Sequence, residues 1–201
     1  MSESRLYHEG NRALQDHFHS RPLADRLEDL SRVAFSQRDR EFIAGSGFFF
    51  LATADADGRP DVSFKGGPTG FVQLIGDREL AFPDYDGNGM FKSLGNITVN
   101  PHVTLLFITM TGSRRRRLRV AGTASVSADD PLMATTVGAQ LIVRVAVTAI
   151  FTNCPRYIPD LAANESSPFV PVPGQPFVEP PWKTDEEVSD VIPPRAPTFG
   201  G

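Results

Sequence analysis

The sequence is poor in the residues that build disulfide frameworks and metal centres. A single cysteine, Cys154, excludes an internal disulfide and a cysteine zinc cage. The four histidines show no HExxH or comparable ligand spacing. His17 and His19 lie two apart in a predicted helix, where they point to different faces. We therefore expect neither a disulfide scaffold nor a metal site.

Long apolar runs and an excess of positive charge are also missing. No stretch approaches the roughly 20 apolar residues of a membrane span, and the start of the chain, MSESRLYHEGNRALQ, is charged rather than apolar. The net charge of −4 opposes a general affinity for nucleic acid. The run Arg114 to Arg117 falls at a predicted hairpin tip, where solvated charge is the usual explanation. We expect a cytoplasmic protein that binds neither membranes nor nucleic acid.

What the sequence does contain is a series of short strands. Runs such as FFFLATA, from Phe48, and HVTLLFITM, from His102, are bounded by turn signals, of which Asp55 to Gly58 is the clearest. The pattern predicts about seven strands in hairpin order. One helix is predicted after the fourth strand, over Met90 to Val99, and another after the sixth, beginning at Asp129. This order predicts a mainly β protein built on an antiparallel barrel.

Helical patterns precede the predicted barrel. Apolar spacing predicts helices over Tyr7 to Ser20 and Leu23 to Leu30, and the capping box Ser36 to Asp39 opens a third helix that ends near residue 45. Each helix has a narrow apolar stripe. We therefore expect residues 1–45 to form helices that pack on the barrel.

The barrel itself is expected over residues 46–163, and a different composition follows it. Nine of the last 38 residues, 164–201, are proline. This segment predicts an extended tail that is either loose or ordered by wrapping the body or a partner subunit. Its candidate anchors are the aromatic residues Phe169, Phe177, Trp182 and Phe199.

The first candidate site is the junction that leads into the helix after the fourth strand. Gly87, Asn88 and Gly89 are small or polar, and a helix start presents free backbone N–H groups that suit an anion. Asn88, Lys92 and Ser93 would add donors for a phosphate. The alternative is a plain turn with a good N-cap.

Two further segments carry candidate chemistry. Ser63 and Lys65 lie two apart on a predicted strand and face the same way, and glycines that follow allow close backbone approach. The alternative is a half-exposed strand with a glycine-rich bend. After the last strand, Arg156 and Tyr157 are candidates for anion and ring contacts, whereas Cys154 is typical of an inert core residue.

These segments together resemble the pyridoxamine 5′-phosphate oxidase-like superfamily, the FMN-binding split barrels, and within it the flavin-nucleotide-binding branch. The motifs that carry the resemblance are FFFLATADADGRPDVSFKGGPTGFV, LAFPDYDGNGMFKSLGNITVNPHVTLLFI, LRVAGTASV and NCPRYIP. With the leading YHEGNRALQ they span about residues 7–159. The resemblance implies a split β-barrel of the FMN-binding type, flanked here by N-terminal helices and the Pro-rich tail.

By position, the resemblance also implies a set of cofactor-binding residues. The second strand supplies flavin-side residues, the fourth strand lines the isoalloxazine edge, and the following helix holds the phosphate. The vitamin B6 oxidases have a Ser-Arg-Lys cluster at this helix start, where this chain reads Asn88-Gly89-Met90, so the phosphate would rest on backbone N–H groups with Lys65 and Lys92. The implied residues are Ser63, Phe64, Lys65, Phe82, Pro83, Asp84, Asn88, Lys92 and Ser93.

The resemblance finally implies a homodimer that binds FMN at the subunit interface and acts as a flavin-dependent oxidoreductase on a small-molecule substrate. Arg156 and Tyr157 are the candidates for contact with the substrate or the ring, and no side chain stands out as a general acid or base. Three alternatives stay open. They are a deazaflavin (F420)-dependent reductase, a haem-binding protein with a histidine axial ligand, and a flavin carrier or sensor without turnover.

Overall fold

Hairpin turns and alternating apolar residues build an antiparallel sheet in the computed structural model of the chain, which describes residue 4 and residues 6–112, 115–162, 178 and 181–192. Among these residues the strands, in chain order, are β1 (Phe48–Ala54), β2 (Pro60–Gly66), β3 (Gln73–Leu74), β4 (Glu79–Tyr85), β5 (His102–Ile108), β6 (Arg117–Ser127) and β7 (Ala139–Asn153). The order of these strands across the sheet is β2-β1-β5-β6-β7-β4-β3, and all neighbouring strands are antiparallel.

The sheet curls around its own core. Burial alternates along β1, β5 and β6, so one face of these strands is covered and the other is not. Three strands separate β1 from β4 in the sheet order, yet the ring centroids of Phe49 on β1 and Phe82 on β4 lie 4.9 Å apart in an edge-on contact. The predicted fold class is confirmed: the chain is a mainly β protein with a split barrel.

The chain divides into two compact units, one formed by Met1–Ser31 with Ser166–Gly201 and the other by Arg32–Glu165. The barrel belongs to the second unit. The predicted division at residues 45 and 163, and the packing of the N-terminal helices on the barrel, stay predictions.

Four α-helices occur among the described residues: α1 (Glu9–His17) and α2 (Arg21–Asp29) in the first unit, and α3 (Gln37–Ala44) and α4 (Lys92–Val99) in the second. The helix predicted over residues 7–20 is shorter than expected, because His8 caps α1 at its start and Phe18 ends it. The short helix predicted after the sixth strand is a 3₁₀ turn over Pro131–Ala134.

The predicted capping box of α3 is present and is part of a buried charge cluster. The Ser36 hydroxyl accepts from the Asp39 N–H, and Asp39 Oδ2 accepts from the Ser36 N–H. The Asp39 carboxylate is almost fully buried and also accepts from Arg32 Nη2 at 2.8 Å and Arg116 Nη2 at 3.1 Å. This cluster ties α3 to the chain just before β6.

The tail is described only over residue 178 and residues 181–192, which form 3₁₀ turns at Pro181–Thr184 and Ser189–Val191. Arg26 of α2 donates to the carbonyl oxygen of Glu187 and to the carboxylate of Asp190. Trp182 is half-buried in the first turn. The other predicted anchors, Phe169, Phe177 and Phe199, lie outside the described residues. No helix in the described part of the chain combines the length and the apolar character needed to cross a bilayer.

Candidate functional site

Strand β2 presents its polar side chains to the inner face of the sheet and its apolar side chains outward. In the register of the β1–β2 hairpin, Ser63 pairs with the fully buried Leu51, so β2 points this serine to the face that is core on β1. Asp61 and Lys65 follow the same alternation. The outward residues Val62 and Phe64 are 67% and 62% exposed. This inversion indicates that the inner face of β2 lines something other than an apolar core.

That inner face is one wall of a cavity of about 620 Å³. The second wall is the end of β4, and the loop and first turn of α4 close one end. Gln140 of β7 completes the lining. From β2 and β4 the lining residues are Asp61, Val62, Ser63, Phe64, Lys65, Gly66, Pro83, Asp84 and Tyr85, and from the loop and α4 they are Asp86, Gly87, Asn88, Gly89, Met90, Phe91, Lys92, Ser93 and Leu94.

An ion pair connects the two walls. Lys65 Nζ donates to Asp84 Oδ1 at 3.1 Å, and the two side chains are 19% and 11% exposed. Because both groups are largely withdrawn from water, each depends on the other for compensation of its charge. Lys65 was predicted to bind a phosphate. Within the cavity, the Asp84 carboxylate already pairs with the Lys65 ammonium and would compete with a phosphate for it.

A second polar group lies where β2 meets α4. The hydroxyl oxygens of Ser93 and Ser63 are 2.8 Å apart, and the Ser93 hydroxyl also lies 3.5 Å from Asp61 Oδ2. Ser93 is buried, and the other two side chains are half-buried. The result is a short chain of oxygens that runs from a carboxylate through two hydroxyls along the cavity wall.

Helix α4 begins later than the sequence predicts, and this moves the predicted anion site. The helix starts at Lys92 rather than at residues 87–90, because Phe91 adopts a left-handed backbone conformation with φ 48° at the N-cap. No side chain caps this helix. The backbone N–H groups of its first turn have no partner inside the helix, and Lys92, Ser93 and Leu94 of this turn line the cavity.

Two buried contacts hold α4 in this position. Asn96 donates from Nδ2 to Thr53 Oγ1 of β1 at 3.0 Å, and both residues are buried. Asn100, just after the helix, donates to the carbonyl oxygen of Asp55 at 3.2 Å. Hydrogen bonds from the Arg59 backbone, with the charge of Lys92 as a smaller contribution, hold the pKa of the Asp55 carboxyl below its usual value. Lys92 is thus a cation near the helix start.

The loop before α4 is braced by its own side chains. Asn88 Oδ1 accepts from the Met90 N–H at 3.1 Å, so the predicted phosphate donor Asn88 is turned onto its own loop. Gln140 donates from Nε2 to Asp86 Oδ1 at 3.0 Å. A register shift between β4 and β7 occurs beside Asp84, and such bulges often re-aim side chains near functional sites.

The structure brings together eight of the nine predicted cofactor-binding residues, and their role in binding stays a prediction. The exception is Phe82, whose ring is 1% exposed and packs in the core against Phe49. Its neighbours Pro83 and Asp84 line the cavity, at the end of β4.

Arg156 and Tyr157 do not line this cavity. They follow the end of β7 that is opposite to Gln140, and thirteen positions of strand at roughly 3.3 Å each separate the two ends. The Arg156 guanidinium lies 5.7 Å from the ring centroid of Tyr157, which is 55% exposed. Their predicted contact with a substrate or ring stays a prediction.

Asp61, Phe91 and Gln140 are among the lining residues that sequence reasoning missed. Asp61 lies two residues before Ser63 and so shares its face, a signal that was available in the sequence. Phe91 and Gln140 carried no such signal. The first depends on a left-handed backbone conformation, and the second comes from a strand more than 45 residues further along the chain.

A family model described as pyridoxamine 5′-phosphate oxidase matches residues 35–163 of the chain. No curated protein matches the chain.

Three solved structures resemble the chain at low sequence identity and low TM-score. An FMN-binding protein from Syntrophomonas wolfei is 12% identical over 73% of this chain and 96% of that chain, with a TM-score of 0.44. A haem storage protein from Vibrio cholerae is 22% identical over 57% of this chain and 91% of that chain, with a TM-score of 0.43. An F420 reductase is 21% identical over 55% of this chain and 94% of that chain, with a TM-score of 0.41. At these scores the three likenesses carry no argument about ligand or activity.

Proposed function

The chain belongs to the pyridoxamine 5′-phosphate oxidase family, and from this premise we propose that its cavity binds FMN and that the protein is a flavin-dependent oxidoreductase acting on a small molecule. The observation that carries the proposal is the convergence of eight predicted residues on one cavity. They come from β2, β4 and the start of α4, three elements that the fold alone brings together.

The cavity fits a flavin nucleotide in size and in the chemistry of its lining. Its volume of about 620 Å³ lies within the usual range for ligand pockets, about 300–1,000 Å³. Phe91 offers a ring surface at its rim, and Ser63, Ser93 and Lys92 offer polar contacts along it. A flavin has matching parts: a flat ring, a hydroxyl-bearing chain and a phosphate.

The lining residues divide along the length of such a ligand. Lys65 and Asp84 form the polar wall where a ring edge can hydrogen-bond. The first turn of α4 and Lys92 form the end for the phosphate, since backbone N–H groups, a helix dipole and a cation all favour an anion. Lys92 is our choice for the phosphate, because Lys65 is already paired.

When bound, the flavin supplies hydride or electron transfer, so this chain need not provide a general acid or base. The role of the protein is to orient the ring between β2 and β4 and to hold the phosphate at α4. Asn96 and Thr53 fix the position of α4, and hence of the phosphate end, from beneath. The Lys65–Asp84 pair places one donor and one acceptor at the ring end.

We further propose that the protein is a homodimer. The outer face of the barrel carries a row of residues in register across five strands: Phe64, Phe50, Leu106, Arg119 and Phe151. Four of the five are apolar, of which Phe64 is exposed and the other three are half-buried, and a contiguous apolar patch that reaches the surface is typical of an interaction site. A second copy that covers this face can also bring its Arg156 and Tyr157 to a cavity that they cannot reach within one chain.

The test starts from the absorption spectrum of the purified protein and mass spectrometry of the released cofactor. A flavin spectrum with FMN released supports the proposal, whereas a deazaflavin, or a haem with its Soret band, contradicts it. NAD(P)H-driven turnover with a panel of small acceptors then distinguishes an enzyme from a flavin carrier.

A matched pair of variants tests the phosphate end. Lys92→Met should weaken FMN binding about tenfold to a hundredfold, since a charged hydrogen bond is worth roughly 1.5–3 kcal/mol, and leave riboflavin binding unchanged. Lys183→Met, a change of the same type at a lysine outside the cavity lining, should alter neither affinity. Equal affinity of the wild type for FMN and riboflavin would contradict the phosphate site.

A further inference from the structure

Two arginines of β6 lie side by side on the outer face of the barrel. Arg117 begins the strand and Arg119 follows two positions later, while Leu118 between them is fully buried on the inner face. The sequence predicts solvated charge for the arginine run that ends at Arg117, yet the side chains of Arg117 and Arg119 are both half-buried. Neither residue lines the cavity described above. Their charges therefore require an explanation that the flavin site does not provide.

Both guanidinium groups donate to neutral acceptors near the end of β7. Arg117 Nη2 donates to the carbonyl oxygen of Cys154, and Arg119 Nη1 donates to Oδ1 of Asn153. The Arg119 guanidinium also lies 5.9 Å from the ring centroid of Phe151. Arg117 Nε is buried and has no hydrogen-bond partner among the described residues. A guanidinium has five N–H donors, so these contacts orient each group but leave its positive charge without an anion.

The lack of an acidic partner sets these two arginines apart from others in the chain. Among the described residues, no carboxylate forms an ion pair with Arg117 or Arg119. Burial, and to a smaller extent the charge of Arg117, lower the pKa of the Arg119 guanidinium, which is the direction expected for a partly desolvated cation beside a like charge. Seven half-buried arginines elsewhere in the chain each pair with an aspartate or a glutamate: Arg12, Arg21, Arg26, Arg32, Arg40, Arg116 and Arg144.

A small oxyanion would compensate both charges at once. Residues two apart on a strand are separated by about 6.6 Å, and two long arginine side chains on one face can converge on a single group across that distance. The planar guanidinium matches carboxylate, sulfate and phosphate groups through pairs of parallel hydrogen bonds. Arg156, two residues after Cys154, adds a third positive charge beyond the end of β7. An anion that carries two negative charges suits this surface best.

We propose that Arg117 and Arg119 form a binding site for the oxyanion group of a small acidic ligand, on the outer face of the barrel and separate from the flavin cavity. The site goes beyond the proposed function and does not depend on a bound flavin. It also bears on the proposed homodimer, because Arg119 belongs to the row of residues that a second copy would cover. A bound anion would allow that cover without the burial of two uncompensated like charges.

The test is a calorimetric titration of the purified protein with sodium sulfate, with sodium chloride at equal ionic strength as the reference. Sulfate should bind saturably to the wild type and raise its melting temperature more than chloride does. Arg117→Gln and Arg119→Gln should each weaken sulfate binding about tenfold, because each removes a charged hydrogen bond. Arg59→Gln removes the same charge from the turn between β1 and β2, where the side chain is 73% exposed, and should bind sulfate like the wild type.

Two further variants keep the result unambiguous. Arg119→Lys retains the charge but not the planar fork, and it should recover part of the affinity that Arg119→Gln loses. Lys92→Met should keep the sulfate binding that depends on the two arginines, since Lys92 belongs to the cavity. A melting temperature in chloride that matches the wild type reports that each variant is folded.

Three results would overturn the assignment. The first is an unchanged sulfate affinity in both Arg117→Gln and Arg119→Gln, or no saturable sulfate binding by the wild type. The second is a loss of sulfate binding in Lys92→Met alone, which would place the anion in the cavity. The third is a loss of the dimer in Arg119→Gln together with no sulfate binding by the wild type, which would assign the two charges to a carboxylate of a second copy.

Discussion

Lys65 Nζ and Asp84 Oδ1 lie 3.1 Å apart, although their strands are far apart in the sheet order. Lys65 is on β2, at one edge of the sheet, and Asp84 is on β4, next to the opposite edge. The ion pair therefore bridges the gap through which the barrel is split. Both residues also line the cavity, so this one contact contributes to closure of the barrel and to construction of the site.

Lys65→Met should weaken FMN and riboflavin binding by the same factor, about tenfold, because Lys65 serves the ring end and not the phosphate. It should also lower the free energy of unfolding by roughly 1.5–3 kcal/mol, since Asp84 is left largely buried without its partner. Fluorescence titrations and urea melts provide the two measurements.

The double variant Lys65→Met/Asp84→Asn is the control for this pair. Removing both charges should recover most of the lost stability, but not the flavin affinity. A larger loss for FMN than for riboflavin in Lys65→Met would instead assign Lys65 to the phosphate.

Phe50→Asp should convert the proposed homodimer to a monomer. Phe50 lies near the middle of the apolar row on the outer face of the barrel, and a carboxylate there would be desolvated by a second copy. Light scattering at micromolar concentration measures the mass. Val137→Asp, at a side chain that is 95% exposed, is the control and should remain dimeric. A monomeric wild type, or a dimeric Phe50→Asp protein, would contradict the assignment of this face.

Protonation of the Asp39 carboxylate should lower the stability of the protein in acid. Burial raises the pKa of this carboxyl, but hydrogen bonds from Ser36 and Arg32 outweigh burial and hold it below its ordinary value. A carboxyl with a lowered pKa stabilises the fold fully above its unfolded pKa, about 3.9, and the contribution is lost as the pH falls below that value. Thermal melts from pH 7 down to pH 3 should show the loss, and Asp39→Asn should show a smaller change over the same range.

The same variant should cost about 2 kcal/mol at pH 7, because it removes an almost fully buried anion, although its partners Arg32 and Arg116 are partly exposed to solvent. The control is Asp77→Asn. Asp77 also pairs with an arginine, Arg40, but its side chain is 83% exposed, so the expected loss is below about 1 kcal/mol. Similar losses in the two variants would show that the cluster is no stronger than a surface ion pair.

Asn96→Ala should destabilise the protein by about 1–3 kcal/mol, because the buried Thr53 hydroxyl loses its partner. It should also weaken flavin binding, since α4 is held from beneath by this bond. In the double variant Asn96→Leu/Thr53→Val, both polar groups are replaced by apolar ones, and most of the stability should return. An unchanged flavin affinity in Asn96→Ala would mean that α4 keeps its position without the bond.

Much of the fold could be predicted because its signals are local. The hairpin turn Asp55 to Gly58 joins β1 and β2 as expected, and the capping box at Ser36 starts α3. β1 occupies the predicted run FFFLATA. Turn chemistry, capping and period-two alternation act within a few residues, so a sequence displays them directly.

The site was less predictable because its geometry is not local. The anion site was expected at Gly87 to Gly89, before a helix predicted from Met90, but the left-handed conformation of Phe91 delays the helix start to Lys92, and such a conformation is rare for a phenylalanine. The resemblance placed Phe82 at the ring edge, yet its ring packs in the core against Phe49, on a strand that is not a neighbour of β4 in the sheet. The pairing of Lys65 with Asp84 depends on closure between two strands that are not neighbours in the sheet.

Strand β2 hydrogen-bonds to one neighbour, β1, within the described sheet, and yet it forms a wall of the cavity. An edge strand opens at a lower free energy than strands held on both sides, so its amide hydrogens should exchange with solvent faster than those of β6 and β7. A ligand that spans from β2 to α4 must leave before β2 can open, and its binding should slow this exchange. The rate at which the β2 amides take up deuterium should therefore report whether the cavity is occupied, and this measurement does not require knowledge of the substrate.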